Sequence, residues 1–405
     1  MTGSSVSSLS FSPHVLLLPS WYPSASSPLN GTFFREQAQM LKKAGFTVGI
    51  IALTSQQPWK AAEPLNFTIE EGIGVVRGSV RNIPSEKLPG EFSVIALQAK
   101  KAFQLYEAHC GRPAIAHAHS VYPGIYLAAA ASRRWCIPYC LTEHRPSSIK
   151  RAHNSPRTRE IMRLVRAAQG RATVSPLFAK KLESYYSTSP WTVITLPVPN
   201  DAQSVPIPSY VSGNDFIFSH VSHLGDNKRP KLTIRAFARL RNTIPHTRLV
   251  VIGGGVSGEI ARLKAYCTDL GVADAVDFLG SRPRNEIFNL LSHTHAFVLA
   301  SAVESAGAVF AEAQMVGLPC IGTRTWGGQY MIGPSEGVTV SIDDESELAQ
   351  AMQFVACDAL YGNPRIFEPE RIRKRARERF SETTFATSSG KFYRDSLDCF
   401  RRHMS

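Results

Sequence analysis

Ser301-Ala-Val-Glu304-Ser305-Ala306-Gly307-Ala308-Val-Phe-Ala-Glu312-Ala313, followed by Gly317-Leu-Pro319 and Trp326-Gly327-Gly328, decides how this chain is read. The run Ala296-Phe-Val-Leu-Ala300 just before it predicts a buried strand, and Ala308 to Met315 predicts a helix. Glu304 therefore falls in the connecting turn and Glu312 inside the helix, so the two carboxylates do not share a helical face. Eight residues of full helix would span about 12 Å. That separation suits two acids gripping different parts of a long polar ligand better than a carboxylate pair sharing one bond.

Working outward, strands and helices alternate on both sides. In the second half, strands are predicted over 215–221, 247–252, 276–279, 296–300 and 319–322, with helices over 230–240, 257–269, 284–291 and 308–316 between them. In the first half, His14 to Leu18 predicts a strand, Phe33 to Ala44 a helix and 45–52 a strand, a βαβ unit. Further strands are expected at 114–118, 138–142, 172–175 and 192–196, with a small-residue helix over 124–134. The proline-rich, aperiodic stretch Pro197 to Pro208 marks the break between halves. The expected domains are 1–199, a linker over 200–212, 213–380, and a basic C-terminal helix over 381–405 that packs back on the first domain. Two α/β doubly wound domains follow, with their C-terminal strand edges expected to face a cleft.

Length and composition agree. A chain of 405 residues with 43% hydrophobic and 19% charged content is long enough for two cores and too apolar for disorder. The net charge of +13 favours anionic partners, namely nucleotide phosphates or anionic lipid at the inner membrane face, although a solvated basic surface accounts for it equally. The basic clusters lack the interleaved aromatics of a nucleic-acid stripe, so no nucleic-acid partner is expected. No apolar run approaches the roughly 20 residues of a spanning helix. Met1 to Ser8 is polar and lacks the order of a signal peptide. The expectation is a soluble cytoplasmic protein with peripheral contact at the inner membrane face. Seven cysteines without metal-type pairing fit a reducing compartment, and Cys136 and Cys140 are expected to be small core residues.

With both halves read this way, the motifs resemble the retaining family-four glycosyltransferases of the GT-B fold, the group 1 glycosyl transferases. The resemblance runs from about His14 to the end. It rests on Glu304 to Glu312 with Gly317-Leu-Pro319 and Gly327-Gly328, then on Asn30-Gly31-Thr-Phe-Phe-Arg35, His117-Ala-His119, Thr142-Glu143-His144, Lys228 and Gly253-Gly-Gly255. It implies two Rossmann-like domains, the first for the acceptor and the second for a nucleotide-sugar donor. The implied activity is transfer of a hexose to a glycan, polysaccharide-precursor or lipid-linked acceptor by a metal-independent front-face route, with no cofactor.

By position, the resemblance implies that Glu304 and the backbone through Ser305, Ala306, Gly307 and Ala308 hold the donor, and that Glu312 accepts hydrogen bonds from ribose hydroxyls. Ionised carboxylates suit both tasks because each accepts several hydroxyl donors. Lys228 matches the diphosphate lysine; His223 stands where the family has an arginine, and Arg229 is an alternative source of charge. Gly31 allows close backbone approach from the other domain. His144 matches a histidine near the anomeric carbon, which makes His144, Lys228 and Glu304 the implied catalytic set. Arg35, His117 and His119 are acceptor-cleft candidates. The two histidines lie on one side of a strand at a spacing compatible with metal ligation, but no carboxylate or cysteine set completes a site, so an acceptor-cleft or core role is preferred. Leu196 replaces a usual asparagine, and Met331 a usual glutamate. Asp343-Asp344 sits in a polar loop, and no divalent metal is expected.

Two other readings remain open at this stage. Gly253-Gly-Gly255-Val-Ser-Gly258, with Asp274 and Asp277 downstream, formally matches a dinucleotide fingerprint and suggests an NAD-dependent oxidoreductase, although it follows the second strand of its domain and not the first. The departures at His223, Leu196 and Met331 suggest a non-catalytic sugar-nucleotide-binding or membrane-surface scaffold.

Overall fold

The computed structural model describes residues 12–404 except 25, 26, 29, 151–153, 212, 256 and 362–364. The polar start of the chain, residues 1–8, and position 256 of the glycine run lie outside the described residues. The chain divides into two compact units: Met1–Ile194 with Phe385–Ser405, and Thr195–Thr384.

The first unit runs β1 (His14–Pro19), α1 (Thr32–Lys43), β2 (Thr47–Gln56), β3 (Asn66–Glu70), β4 (Ile73–Arg81), α2 (Glu91–Cys110), β5 (Ile115–His119), α3 (Gly124–Trp135), β6 (Tyr139–Glu143), α4 (Pro156–Ala167), β7 (Gly170–Thr173), α5 (Pro176–Tyr186) and β8 (Thr192–Val193). The sheet order is β3-β4-β2-β1-β5-β6-β7-β8. Central strands covered on both faces read as continuous apolar runs, which is why Val15–Leu18 is wholly buried. Phe34, Ala38 and Leu41 recur at helical spacing and seat α1 on the sheet beside Ile50 and Val75.

The hairpin β3–β4 differs from a plain doubly wound sheet. β3 pairs antiparallel with β4 at the edge, whereas β4 is parallel to β2. Its charged and glycine residues weaken the alternation that would mark it in sequence.

The second unit runs β9 (Phe216–Val221), α6 (Pro230–Arg241), β10 (Thr247–Ile252), α7 (Glu259–Asp269), β11 (Val276–Gly280), α8 (Arg284–Leu291), β12 (Ala296–Leu299), α9 (Ala308–Val316), β13 (Cys320–Thr323), α10 (Trp326–Met331), β14 (Gly337–Val340), α11 (Glu345–Tyr361) and α12 (Pro369–Phe380). Its parallel sheet has the order β11-β10-β9-β12-β13-β14. The chain thus builds outward from β9 in one direction and then crosses back to β12 on the other side, so β9 and β12 flank the topological switch point where open α/β sheets take ligands. In the first unit the corresponding pair is β1 and β5.

α13 (Glu382–Met404) ends the chain, and its Phe385, Phe392 and Tyr393 lie in the first unit's core. The stretch expected as a linker, 200–212, opens instead with the 3-10 helix Asn200–Gln203, whose Ala202 is buried in the second unit's core. Prolines there set turns against a packed surface without freeing the backbone. Cys140 is buried as expected, but Cys136 is exposed, ending α3 in the left-handed region.

Candidate active site

At the second unit's switch point, the loop after β9 leads to the 3-10 helix Asp226–Lys228, and the loop after β12 carries Ser301 to Gly307. Two hydrogen bonds lock these loops: Ala302 N–H donates to the Asn227 carbonyl at 2.8 Å, and Asn227 Nδ2 donates to the Val303 carbonyl at 3.1 Å. The lock places Lys228 Nζ against Glu304 Oε1, an oxygen that also accepts from Ser301 Oγ at 2.8 Å. Both side chains are mostly shielded, 24% and 12% exposed, which strengthens the pair relative to a surface one. Neighbouring His220 is pushed down to about 4, first by burial and then by the Lys228 charge, so it adds no second cation near neutral pH.

His223 is exposed at the mouth of this loop. Arg229 pairs with Asp343, in the loop after β14.

Gly307 turns the chain into α9 with φ 68°, and a Cβ there would come within 2.7 Å of Phe310. Gly327 packs against this turn from α10: its N–H donates to the Glu304 carbonyl at 2.8 Å, and a Cβ would lie 2.7 Å from the Ala306 carbonyl carbon. The glycine pair therefore permits two backbones to touch, which holds Ser305 to Ala308 in place. The first amides of α9 lack intrahelical acceptors and carry the positive end of the helix dipole, a setting for an anion. Met331, in place of the family's glutamate, is fully buried in the core. Leu196 is half-buried.

Glu312 projects from α9 with 13% of its side chain exposed, and Arg284 Nη2, from the first residue of α8, donates to its Oε1 at 2.5 Å. Nothing in the local sequence joins positions 284 and 312; the adjacency of α8 and α9 does.

In the first unit, Gly31 caps α1 at φ 84° and Arg35 lies one turn along. His117 and His119 are both buried with ring centroids 4.1 Å apart. His117 is a core residue, with Nδ1 2.9 Å from the Tyr393 hydroxyl and Nε2 2.8 Å from Thr142 Oγ1. His119 Nδ1 lies 3.1 Å from His144 Nε2, and the two rings stack. Burial drives all three imidazoles below their usual range, His119 to about 3. His144 is therefore neutral near pH 7, and a neutral ring and a carbonyl are what it offers.

Glu143, part of the Thr142-Glu143-His144 motif but given no role from sequence, has a wholly buried carboxylate that accepts from the Val121, His144 and Arg145 amides at 2.8, 2.9 and 2.7 Å and so shapes the turn that carries His144. An acid ending an otherwise apolar strand is the sequence signal that could have found it. Among the described residues no group of three or more His, Cys, Asp or Glu is arranged to hold a metal ion.

The proposed site residues thus assemble into two groups, each inside its own unit. The Glycosyl transferases group 1 model matches residues 207–379, and the Glycosyltransferase Family 4 model matches 31–201. The chain belongs to the family 4 glycosyltransferases.

This glycosyltransferase is 27% identical over 302 residues to the D-inositol 3-phosphate glycosyltransferase of Acidothermus cellulolyticus, covering 69% of this chain and 67% of that protein. It is 29% identical over 189 residues to the N-acetyl-alpha-D-glucosaminyl L-malate synthase of Bacillus anthracis, covering 46% and 47%. In fold it is similar to sucrose-phosphate synthase from Thermosynechococcus elongatus (TM-score 0.71, 19% identity, 95% and 98% covered) and to Anabaena HepE in complex with UDP and glucose (TM-score 0.68, 17% identity, 94% and 99% covered). The architecture is GT-B, and the oxidoreductase reading is overturned. Gly253 follows β10, and a Cβ there would lie 1.8 Å from the Ser222 carbonyl, so it serves loop packing.

Proposed function

We propose that this glycosyltransferase moves a hexose from a nucleotide sugar, with retention of anomeric configuration, onto a hydroxyl of a glycan, polysaccharide-precursor or lipid-linked acceptor. The observation that carries the donor half is the pairing at the switch point: Lys228 with Glu304, and Arg284 with Glu312, around the start of α9. In this reading the diphosphate takes Lys228 and the α9 amides, the ribose takes Glu312, and the hexose takes Glu304 and the backbone through Ala308. Positive charge that a metal supplies elsewhere comes from Lys228 and the helix terminus, so transfer proceeds without a divalent ion. Positioning and stabilisation of the leaving diphosphate then provide the rate, with a donor phosphate oxygen taking the proton of the incoming hydroxyl.

A panel of nucleotides and nucleotide sugars tests the donor half by thermal shift, because a true donor raises the unfolding temperature by mass action. Absence of any stabilising nucleotide sinks it. Proton NMR of the product's anomeric signal tests retention, and turnover in excess EDTA tests metal independence. The net charge of +13 supports peripheral contact with anionic lipid. Flotation with anionic liposomes tests that contact; no helix among the described residues is long and apolar enough to cross a membrane.

A further inference from the structure

The first unit holds an open cavity of ≈ 630 Å³ lined by Tyr22, Arg35, Thr54, Glu63, Arg77 and Gly78. That volume lies within the range of about 300–1,000 Å³ typical of small-molecule sites. Its two arginines are not equivalent. Arg77 is saturated: Nε and Nη2 donate to the two Glu70 carboxylate oxygens at 2.7 and 2.8 Å, Nη1 donates to the Pro23 carbonyl at 2.6 Å, and the guanidinium lies 4.9 Å from the Tyr22 ring centroid. Glu70 and Arg77 cancel.

Arg35 is half-buried and close enough to Tyr22 and Glu70 to bias both electrostatically, yet among the described residues it makes no hydrogen bond or ion pair. Opposite in charge, Glu63 has one oxygen accepting from Gln56 Nε2 at 3.1 Å and no cation paired with it among the described residues. A half-buried cation and an exposed carboxylate that line one open cavity without pairing suit a ligand carrying both an anion and hydroxyls: the guanidinium fork takes the anion, and the free carboxylate oxygen accepts hydroxyl protons.

We propose that this cavity binds a small anionic polyol, its phosphoryl or carboxyl group on Arg35 and its hydroxyls on Glu63. That this ligand is the sugar acceptor rests on the glycosyltransferase reading above; the binding itself does not. The same chemistry is presented by a free polyol phosphate and by the headgroup of a phosphoinositol lipid.

Calorimetric titration of the full chain with inositol monophosphate, uncharged inositol and inorganic phosphate tests the assignment, alongside co-sedimentation with phosphatidylinositol and phosphatidylserine vesicles. UDP is titrated in parallel. Inositol monophosphate is expected to bind at least about tenfold more tightly than uncharged inositol and to weaken about tenfold or more in Arg35→Gln. Glu63→Gln is expected to weaken inositol monophosphate and leave inorganic phosphate unchanged, a readout available even if Arg35→Gln folds poorly. Arg35-dependent binding of the free compound assigns a soluble ligand; Arg35-dependent binding of phosphatidylinositol vesicles alone assigns the lipid. Equal affinity of the wild type and Arg35→Gln, or UDP binding with no inositol phosphate bound in either form, overturns the proposal. Arg35-dependent inositol phosphate binding without UDP binding supports the cavity and strikes the donor reading instead.

Discussion

Arg284 and Glu312 stand on successive helices of the second unit, α8 and α9, and meet through one 2.5 Å hydrogen bond to Glu312 Oε1. The contact fixes the carboxylate's orientation through one oxygen, and the proposed ribose grip uses the other. Arg284 is in this sense a positioning residue for the proposed ribose grip. Arg284→Gln is expected to raise the Kd for nucleotide about tenfold while leaving the acceptor KM unchanged, and Glu312→Ala about ten- to a hundredfold, the range for hydrogen bonds to a charged group. Titration with UDP and acceptor-dependent kinetics check both; transfer left intact in Glu312→Ala removes the ribose role.

Lys228 lies against Glu304 at the switch point, a contact that fixes where its ammonium sits. Its removal leaves the mostly shielded Glu304 with the Ser301 hydroxyl but without its lysine, and takes away the charge proposed to meet the leaving diphosphate. Lys228→Ala is expected to lower kcat by about a hundredfold or more. Steady-state kinetics at saturating donor are the check, and a change confined to donor KM would show that Lys228 contributes binding alone.

Gly327 touches the Ala306 carbonyl carbon closely enough that any side chain must push two backbones apart. Gly327→Ala is expected to cost about 1–3 kcal/mol of stability and to weaken donor binding by disturbing the turn at Gly307. Urea unfolding measured beside nucleotide titration separates the two effects.

Acid should destabilise the first unit through its buried histidines. The folded pKa values of His117, His119 and His144 lie below the ordinary 6.5, so the unfolded chain binds more protons as pH falls. Their stabilising contribution is complete above 6.5 and declines below it, continuing for His119 down to about 3. At pH 5 the loss approaches about 2 kcal/mol for His119, and His117 and His144 act in the same direction. Glu143, whose pKa burial raises, works in the opposite sense, since its buried charge is relieved by protonation. Urea unfolding at pH 7 and pH 5 checks the direction, and His117→Gln should flatten the slope.

Much of the fold was legible because parallel α/β sheets write themselves as short apolar runs alternating with amphipathic helices. Val15–Leu18, Phe297–Leu299 and the helix carrying Glu312 all follow that pattern. The β3–β4 hairpin escapes it because an edge strand such as β3 need not be uniformly apolar, and Asn200–Gln203 reads as linker because prolines mark turns whether or not the turn is packed. The group around Glu304 was legible through one local feature, a strand-to-helix turn with a glycine and two acids at fixed offsets.

The sequence by itself determined which residues lie in that turn and how many separate the acids, since both follow from chain connectivity. Tertiary structure alone decided their partners. Lys228 and Glu304 are 76 positions apart, and they meet because β9 and β12 are neighbours across a switch in strand order. Arg284 reaches Glu312 because α8 packs beside α9, and His144 is neutral because β5 and β6 bury it against His119. A side chain's charge and its partner depend on what is packed around it, and that is a property of strand order and burial, which local sequence does not carry.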